Sequence, residues 1–135
     1  SEVAAWSITN IAGMSMKSFF EHYGKCTDED LQAMYNEVKN SAYEIIQKKG
    51  ATYYAIATAV ARIVECISGG ENSVLTISSV LNGEYGIEDI SLSVPTQVSG
   101  YGVERILDVP FNEIELQGLR NSAKTLKDSL KSIGF

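Results

Sequence analysis

The chain is poor in the residues that do most side-chain chemistry. Its 135 residues include one histidine, two cysteines, one tryptophan and two prolines. His22, in the run FFEHYGK, has no second histidine and no patterned carboxylate beside it, so it reads as a surface or packing residue. Cys26 and Cys66 are far apart and form no C-x-x-C, which removes a disulfide framework and a zinc ribbon. They read as ordinary thiols of a cytosolic protein, with Cys66 packing as a small hydrophobe. H-x-x-x-H, clustered aspartates and calcium-loop spacing are also missing, so no metal site is expected. Positive charge is scarce: Lys and Arg number 11 against 17 Asp and Glu, a net charge of −6. That balance argues against nucleic-acid partners and against an anionic membrane surface. No apolar run is long enough to span a bilayer, and no signal-peptide pattern is present.

Two tempting patterns fail for lack of context. Gly100-x-Gly102-x-x-Arg105 lacks the third glycine of a dinucleotide fingerprint and leads into a strand, so it reads as a β-turn. Ser73, Ser78, Ser79, Ser91 and Ser93 sit in strand pattern without nucleophile-elbow glycines, which leaves acyl transfer unsupported.

What is present is an ordinary globular composition, 44% hydrophobic and 21% charged, in a length suited to one domain with a real core. The organising stretch is YEIIQKKGATYYAIATAVARIVECI, from Tyr43 to Ile67. Lys48 and Lys49 suit the negative end of a helix, and Gly50 suits its left-handed stop. Beyond Gly50 the spacing predicts a second helix over 51–68, apolar almost all the way round, with Arg62 and Glu65 as its only charges. Such a helix is expected to be covered on most sides and to act as the spine of the domain. Thr52 and Ile56 are expected one turn apart on one face at its start.

The rest of the chain reads as follows. Residues 1–26 suggest a short helix, with a helical turn around Val3 to Ile8, and an extended segment that passes under the core. Thr27, followed by Asp28, Glu29 and Asp30, caps a helix over 28–49 whose apolar stripe of Leu31, Met34, Tyr35, Val38, Ala42, Ile45 and Ile46 faces inward. Ser68-Gly69-Gly70 stops the second helix. Strands are predicted over 73–81, 90–98 and 103–109, joined by turns at Asn82–Gly86 and Ser99–Gly102, with Pro95 marking a bulge or an edge. Asn112 and Glu115 open a last helix striped by Leu116, Leu119, Ala123, Leu126, Leu130 and Ile133. The fold class is therefore α+β: a three-stranded antiparallel meander packed with long helices.

The runs KKGATYYAIA and VLNGEYGIEDISLSVPTQVSGYGV, with WSITNIAG at the start and ELQGLRNSAKTLKDSL at the end, resemble the carboxy-terminal substrate half of L-lactate dehydrogenases, within the lactate/malate dehydrogenase family. The similarity is strongest to bacterial members. It covers nearly the whole chain, in the right order and spacing.

The resemblance implies a substrate-side domain over 1–135 of an NAD-dependent enzyme that interconverts pyruvate and L-lactate by hydride transfer in the cytoplasm. It implies a homo-oligomer, a tetramer in the whole enzyme, paired through the two helices around Gly50. Thr52 would look into the substrate pocket, and Ile56 would pack against the nicotinamide ring. A hydroxyl suits a small polar substrate, and a dry aliphatic wall strengthens nearby charge interactions. No catalytic residue is assigned here. The family's catalytic histidine, its aspartate, the arginines that clamp the keto acid and the Rossmann NAD domain are all expected upstream of Ser1. The chain by itself is thus expected to be an inactive fragment that does not hold NAD. A malate or other L-2-hydroxyacid dehydrogenase, or a pure assembly domain, are the competing readings.

Overall fold

The computed structural model describes residues 2–134. The elements in order are a 3₁₀ turn at Trp6–Ile8, β1 (Asn10–Ile11), β2 (Met14–Ser15), α1 (Met16–Tyr23), α2 (Asp28–Lys49), α3 (Tyr54–Ser68), β3 (Ser73–Asn82), a 3₁₀ turn at Glu84–Gly86, β4 (Glu88–Ser99), β5 (Gly102–Ile106) and α4 (Glu113–Ser132). The α+β class and the three-stranded meander are as the sequence implies. The chain divides into two compact units: Ala4–Ile56, and everything from Ala57 onward together with the first residues through Val3.

In the larger unit, β3, β4 and β5 form an antiparallel sheet in that order. Alternation builds its inner face. Ile90, Leu92, Val94, Thr96 and Val98 of β4 are buried while Ser91 and Ser93 are exposed. Leu81 ends β3 fully buried, and Leu119 and Ala123 of α4 complete the same cluster. Tyr85, Ile106 and Phe111 pack around its margin. Helix α4 starts where the sequence places it. The Asn112 side chain accepts from the Glu115 N–H at 2.9 Å, and Glu115 accepts from the Asn112 N–H at 3.1 Å, a full capping box. Gly118 sits inside this helix, where glycine costs about 1 kcal/mol relative to alanine. A Cβ there would come within 3.0 Å of Val3 Cγ2, so the close approach of Val3 explains the glycine.

The turn between β3 and β4 is tied down at its tyrosine. Tyr85 adopts φ 58°, an uncommon conformation for a bulky residue. Its hydroxyl donates to the Leu107 carbonyl and accepts from the Val109 N–H at 3.3 Å, while Arg120 Nε donates to its backbone carbonyl at 3.2 Å. Its ring also packs 5.2 Å from that of Phe111. These contacts hold the strained backbone in place, and burial pushes the phenol above its ordinary pKa.

Pro95 corrects one expectation: it lies in the central strand, opposite Thr76, and is not on an edge. Its carbonyl accepts from the Leu107 N–H at 2.9 Å, just past the end of β5. Within an antiparallel strand a residue's N–H and C=O point to the same side. The missing N–H therefore faces the side where β5 has run out, and the β3 ladder is unaffected. The bulge lies two residues on, between Gln97 and Val98. β5 itself is shorter than the predicted 103–109.

In the smaller unit, the expected extended segment under the core is instead a tight hairpin, β1 paired with β2 through Ala12 and Gly13, both at positive φ. None of residues 4–26 is buried. Helix α2 has the predicted bounds. Thr27 Oγ1 accepts from the Asp30 N–H at 3.2 Å, and Asp30 accepts from the Thr27 N–H at 2.8 Å, which holds the Asp30 carboxyl below its usual range. The inward-facing stripe of α2 is a second correction: no residue of this helix is buried, and Met34, Val38, Ile45 and Ile46 are exposed.

Candidate functional site

The predicted substrate and cofactor residues lie at the junction of α2 and α3. Gly50 ends α2 at φ 80°, with its N–H donating to the Ile46 carbonyl at 2.7 Å. The chain then runs without helical structure through Ala51, Thr52 and Tyr53 before α3 begins at Tyr54. Thr52 is therefore not the first-turn helical residue the spacing suggested. It is exposed in the link, while Ile56 is exposed in the first turn of α3. Thr52 and Ile56 therefore do not share the helical turn that the spacing suggested. The rings of Tyr53 and Tyr54 pack against each other at 4.8 Å across the start of the helix.

Helix α3 also departs from the expectation of a covered spine. Cys66 is its only buried residue, with Ile63 half-buried one turn before. The Cys66 thiol donates toward the Val98 and Glu71 carbonyls at 3.6 and 3.7 Å, so it packs against the sheet as a small residue. On the other side Val60, Val64 and Ile67 form an exposed aliphatic row at helical spacing. A row of that kind marks a surface shaped for burial.

An ion pair escaped the sequence reading. Arg62 Nη2 donates to Glu71 Oε2 at 2.6 Å and to Ser73 Oγ at 3.3 Å, and Ser73 donates to the same carboxylate at 3.2 Å. The guanidinium holds the Glu71 carboxyl low, and Glu71 raises the Arg62 pKa in return. This triad ties the body of α3 to the start of β3 across the Gly69–Gly70 turn. Its only sequence signal is Arg62, one of two charges on this largely apolar helix.

His22 Nδ1 lies 2.8 Å from the Ser18 carbonyl, and the side chain is exposed on α1. Among the described residues, no three His, Cys, Asp or Glu side chains are grouped to hold a metal ion. No described helix is long and apolar enough to cross a membrane.

Residues 1–134 match the lactate/malate dehydrogenase, alpha/beta C-terminal domain. The chain belongs to the lactate/malate dehydrogenase family. An L-lactate dehydrogenase of Acetivibrio thermocellus is 53% identical over 133 residues, covering 98% of this chain and 42% of the relative. The ligand-bound crystal structure of a minor L-lactate dehydrogenase from Enterococcus mundtii superposes with a TM-score of 0.91 at 40% identity, over 97% of this chain and 42% of that one. A malate dehydrogenase from Archaeoglobus fulgidus in complex with NADH gives 0.75 at 36% identity, over 78% of this chain and 36% of that one. The chain thus spans less than half the length of the dehydrogenases it matches.

Proposed function

We propose that this chain is the substrate-side domain of an NAD-dependent L-lactate dehydrogenase, which interconverts pyruvate and L-lactate by hydride transfer. The observation that carries the reading is 53% identity to an L-lactate dehydrogenase across 98% of the chain. On this reading Thr52 presents its hydroxyl to the keto acid, and Ile56 supplies an aliphatic wall for the nicotinamide ring. Both are exposed in the structure, which leaves them accessible to groups supplied by the rest of such an enzyme. The cytoplasm is the compartment in which this activity and two free thiols fit together.

The test is to join this chain to the nucleotide-binding half of a related lactate dehydrogenase. The chain alone is expected to show no saturable NADH binding, because it offers no phosphate-cradling glycine loop. The fusion is expected to oxidise NADH with pyruvate in preference to oxaloacetate. A folded, NADH-binding fusion that prefers oxaloacetate would move the assignment to malate dehydrogenase, and saturable binding by the chain alone would overturn the division of labour.

Assembly is the second element of the proposal. The exposed rows of α2 and α3 are read as faces covered by another subunit, in a homo-oligomer that is tetrameric in the whole enzyme. Each Å² of apolar surface covered contributes roughly 25 cal/mol. Sedimentation at several concentrations is expected to show dimers or larger species, dispersed to monomers by Val60→Glu with Val64→Glu. Strictly monomeric behaviour at all concentrations would remove the interface assignment.

A further inference from the structure

The end of β3 and the turn that follows it carry a chemically labile pair that the dehydrogenase reading does not use. Asn82 is followed by Gly83, and both are exposed. Asparagine before glycine is prone to spontaneous deamidation, because no side chain shields the next backbone nitrogen. The Gly83 nitrogen attacks Asn82 Cγ and forms a C–N bond. The Cγ–Nδ2 bond breaks, the Gly83 amide proton ends on the leaving nitrogen, and ammonia departs. Water then opens the resulting succinimide at either carbonyl, which leaves aspartate or isoaspartate. No oxidant or reductant is involved.

The fold holds the groups that this reaction must free. The Gly83 N–H donates to the Ile87 carbonyl at 2.9 Å, so the attacking nitrogen is engaged. The Gly86 N–H donates to the Gly83 carbonyl at 3.0 Å and closes the same turn. The Asn82 N–H donates to Glu84 Oε2 at 2.6 Å, which fixes the backbone on the other side of the labile side chain. Backbone amides hold the Glu84 carboxyl below its ordinary pKa, so this catch is ionised at neutral pH. Gly83 itself sits at φ 119°.

We infer that Asn82 is a spontaneous modification site whose rate is set by opening of the 82–87 turn, with the Glu84 carboxylate as one of its catches. The product is harmful at this place. Aspartate adds a negative charge beside Glu84, Glu88 and Asp89 in a chain already at −6. Isoaspartate inserts an extra backbone carbon directly after the fully buried Leu81, where the β3–β4 register already shifts.

The purified chain is held at mildly alkaline pH, and the peptide carrying Asn82 is followed by mass spectrometry, with isoaspartate detected by enzymatic carboxyl methylation. Asn72 and Asn121, each followed by serine, serve as internal references. Conversion at Asn82 is expected to be several-fold faster in urea than in native buffer, because hydrogen-bonded turns react from their open state. The folded Glu84→Ala chain is expected to convert faster than native. Glu84→Gln, which keeps the length but loses the charge, should fall between them. Circular dichroism confirms that each variant is folded. Equal rates folded and unfolded, no conversion at Asn82 in either state, or Glu84 variants at the native rate would each overturn the inference.

Discussion

Leu81→Ala is expected to destabilise the chain by about 2–5 kcal/mol, the range for deleting a large aliphatic side chain from a packed core. Leu81 is fully buried at the end of β3, in one cluster with Ile90, Leu92 and Val94 of β4 and Leu119 and Ala123 of α4. The cavity would open between sheet and helix, where strand backbone limits collapse. Domains of this size are stable by roughly 5–15 kcal/mol, so the loss is a large fraction of the whole. The adjacent Val80 faces outward and is 54% exposed. Val80→Ala should change stability by less than about 0.5 kcal/mol. Urea unfolding of the two variants gives the contrast directly. Equal, small effects would mean that the sheet–helix cluster is not the core on which folding depends.

In a whole enzyme carrying this chain, Thr52→Gly is expected to lower kcat/KM for pyruvate roughly ten- to a hundred-fold. The variant removes a hydroxyl contact, worth about 0.5–1.5 kcal/mol, and a methyl contact on the order of 1 kcal/mol. Thr52→Ser keeps the hydroxyl and should be mild. Bulkier 2-keto acids should lose less than pyruvate, because the vacated space favours them. NADH affinity should change little, since the cofactor contact is assigned to Ile56. The structure sharpens the control: Thr52 is exposed and non-helical, so the substitution disturbs no helix hydrogen bond or packed core. If Thr52→Gly lowered the melting temperature and left pyruvate kinetics intact, Thr52 would be a linker residue and its substrate role would fall.

The spacing ends α2 at Gly50, where the structure has it, but starts the next helix at Ala51, three residues before Tyr54. Alanine, threonine and tyrosine are all compatible with a first turn, and nothing local marks the true start at Tyr54. The β1–β2 hairpin was missed for a similar reason. Its turn places alanine, at φ 53°, where asparagine or glycine is the usual signal.

The sequence by itself determined most of what depends on a local hydrogen bond or a fixed side-chain period. The capping pairs Thr27–Asp30 and Asn112–Glu115, the glycine stop of α2, the strand alternation in β4 and the order of the meander were all legible. Each reflects a local hydrogen bond or a fixed period of side-chain direction. Family membership was legible too, because matching runs persist across nearly the whole chain. Only the tertiary structure decided which apolar faces are covered. The periodicity of α2 and α3 shows that an apolar stripe exists, yet burial needs a partner surface, and that depends on residues distant in sequence or on other chains. Thus Leu119 of α4 is buried while Val60 and Val64 of α3 stay exposed, although both helices are rich in apolar residues. The same holds for the Arg62–Glu71–Ser73 triad and for Pro95 in the central strand. Their roles follow from the path of the chain after a turn, and no short window of sequence encodes that path.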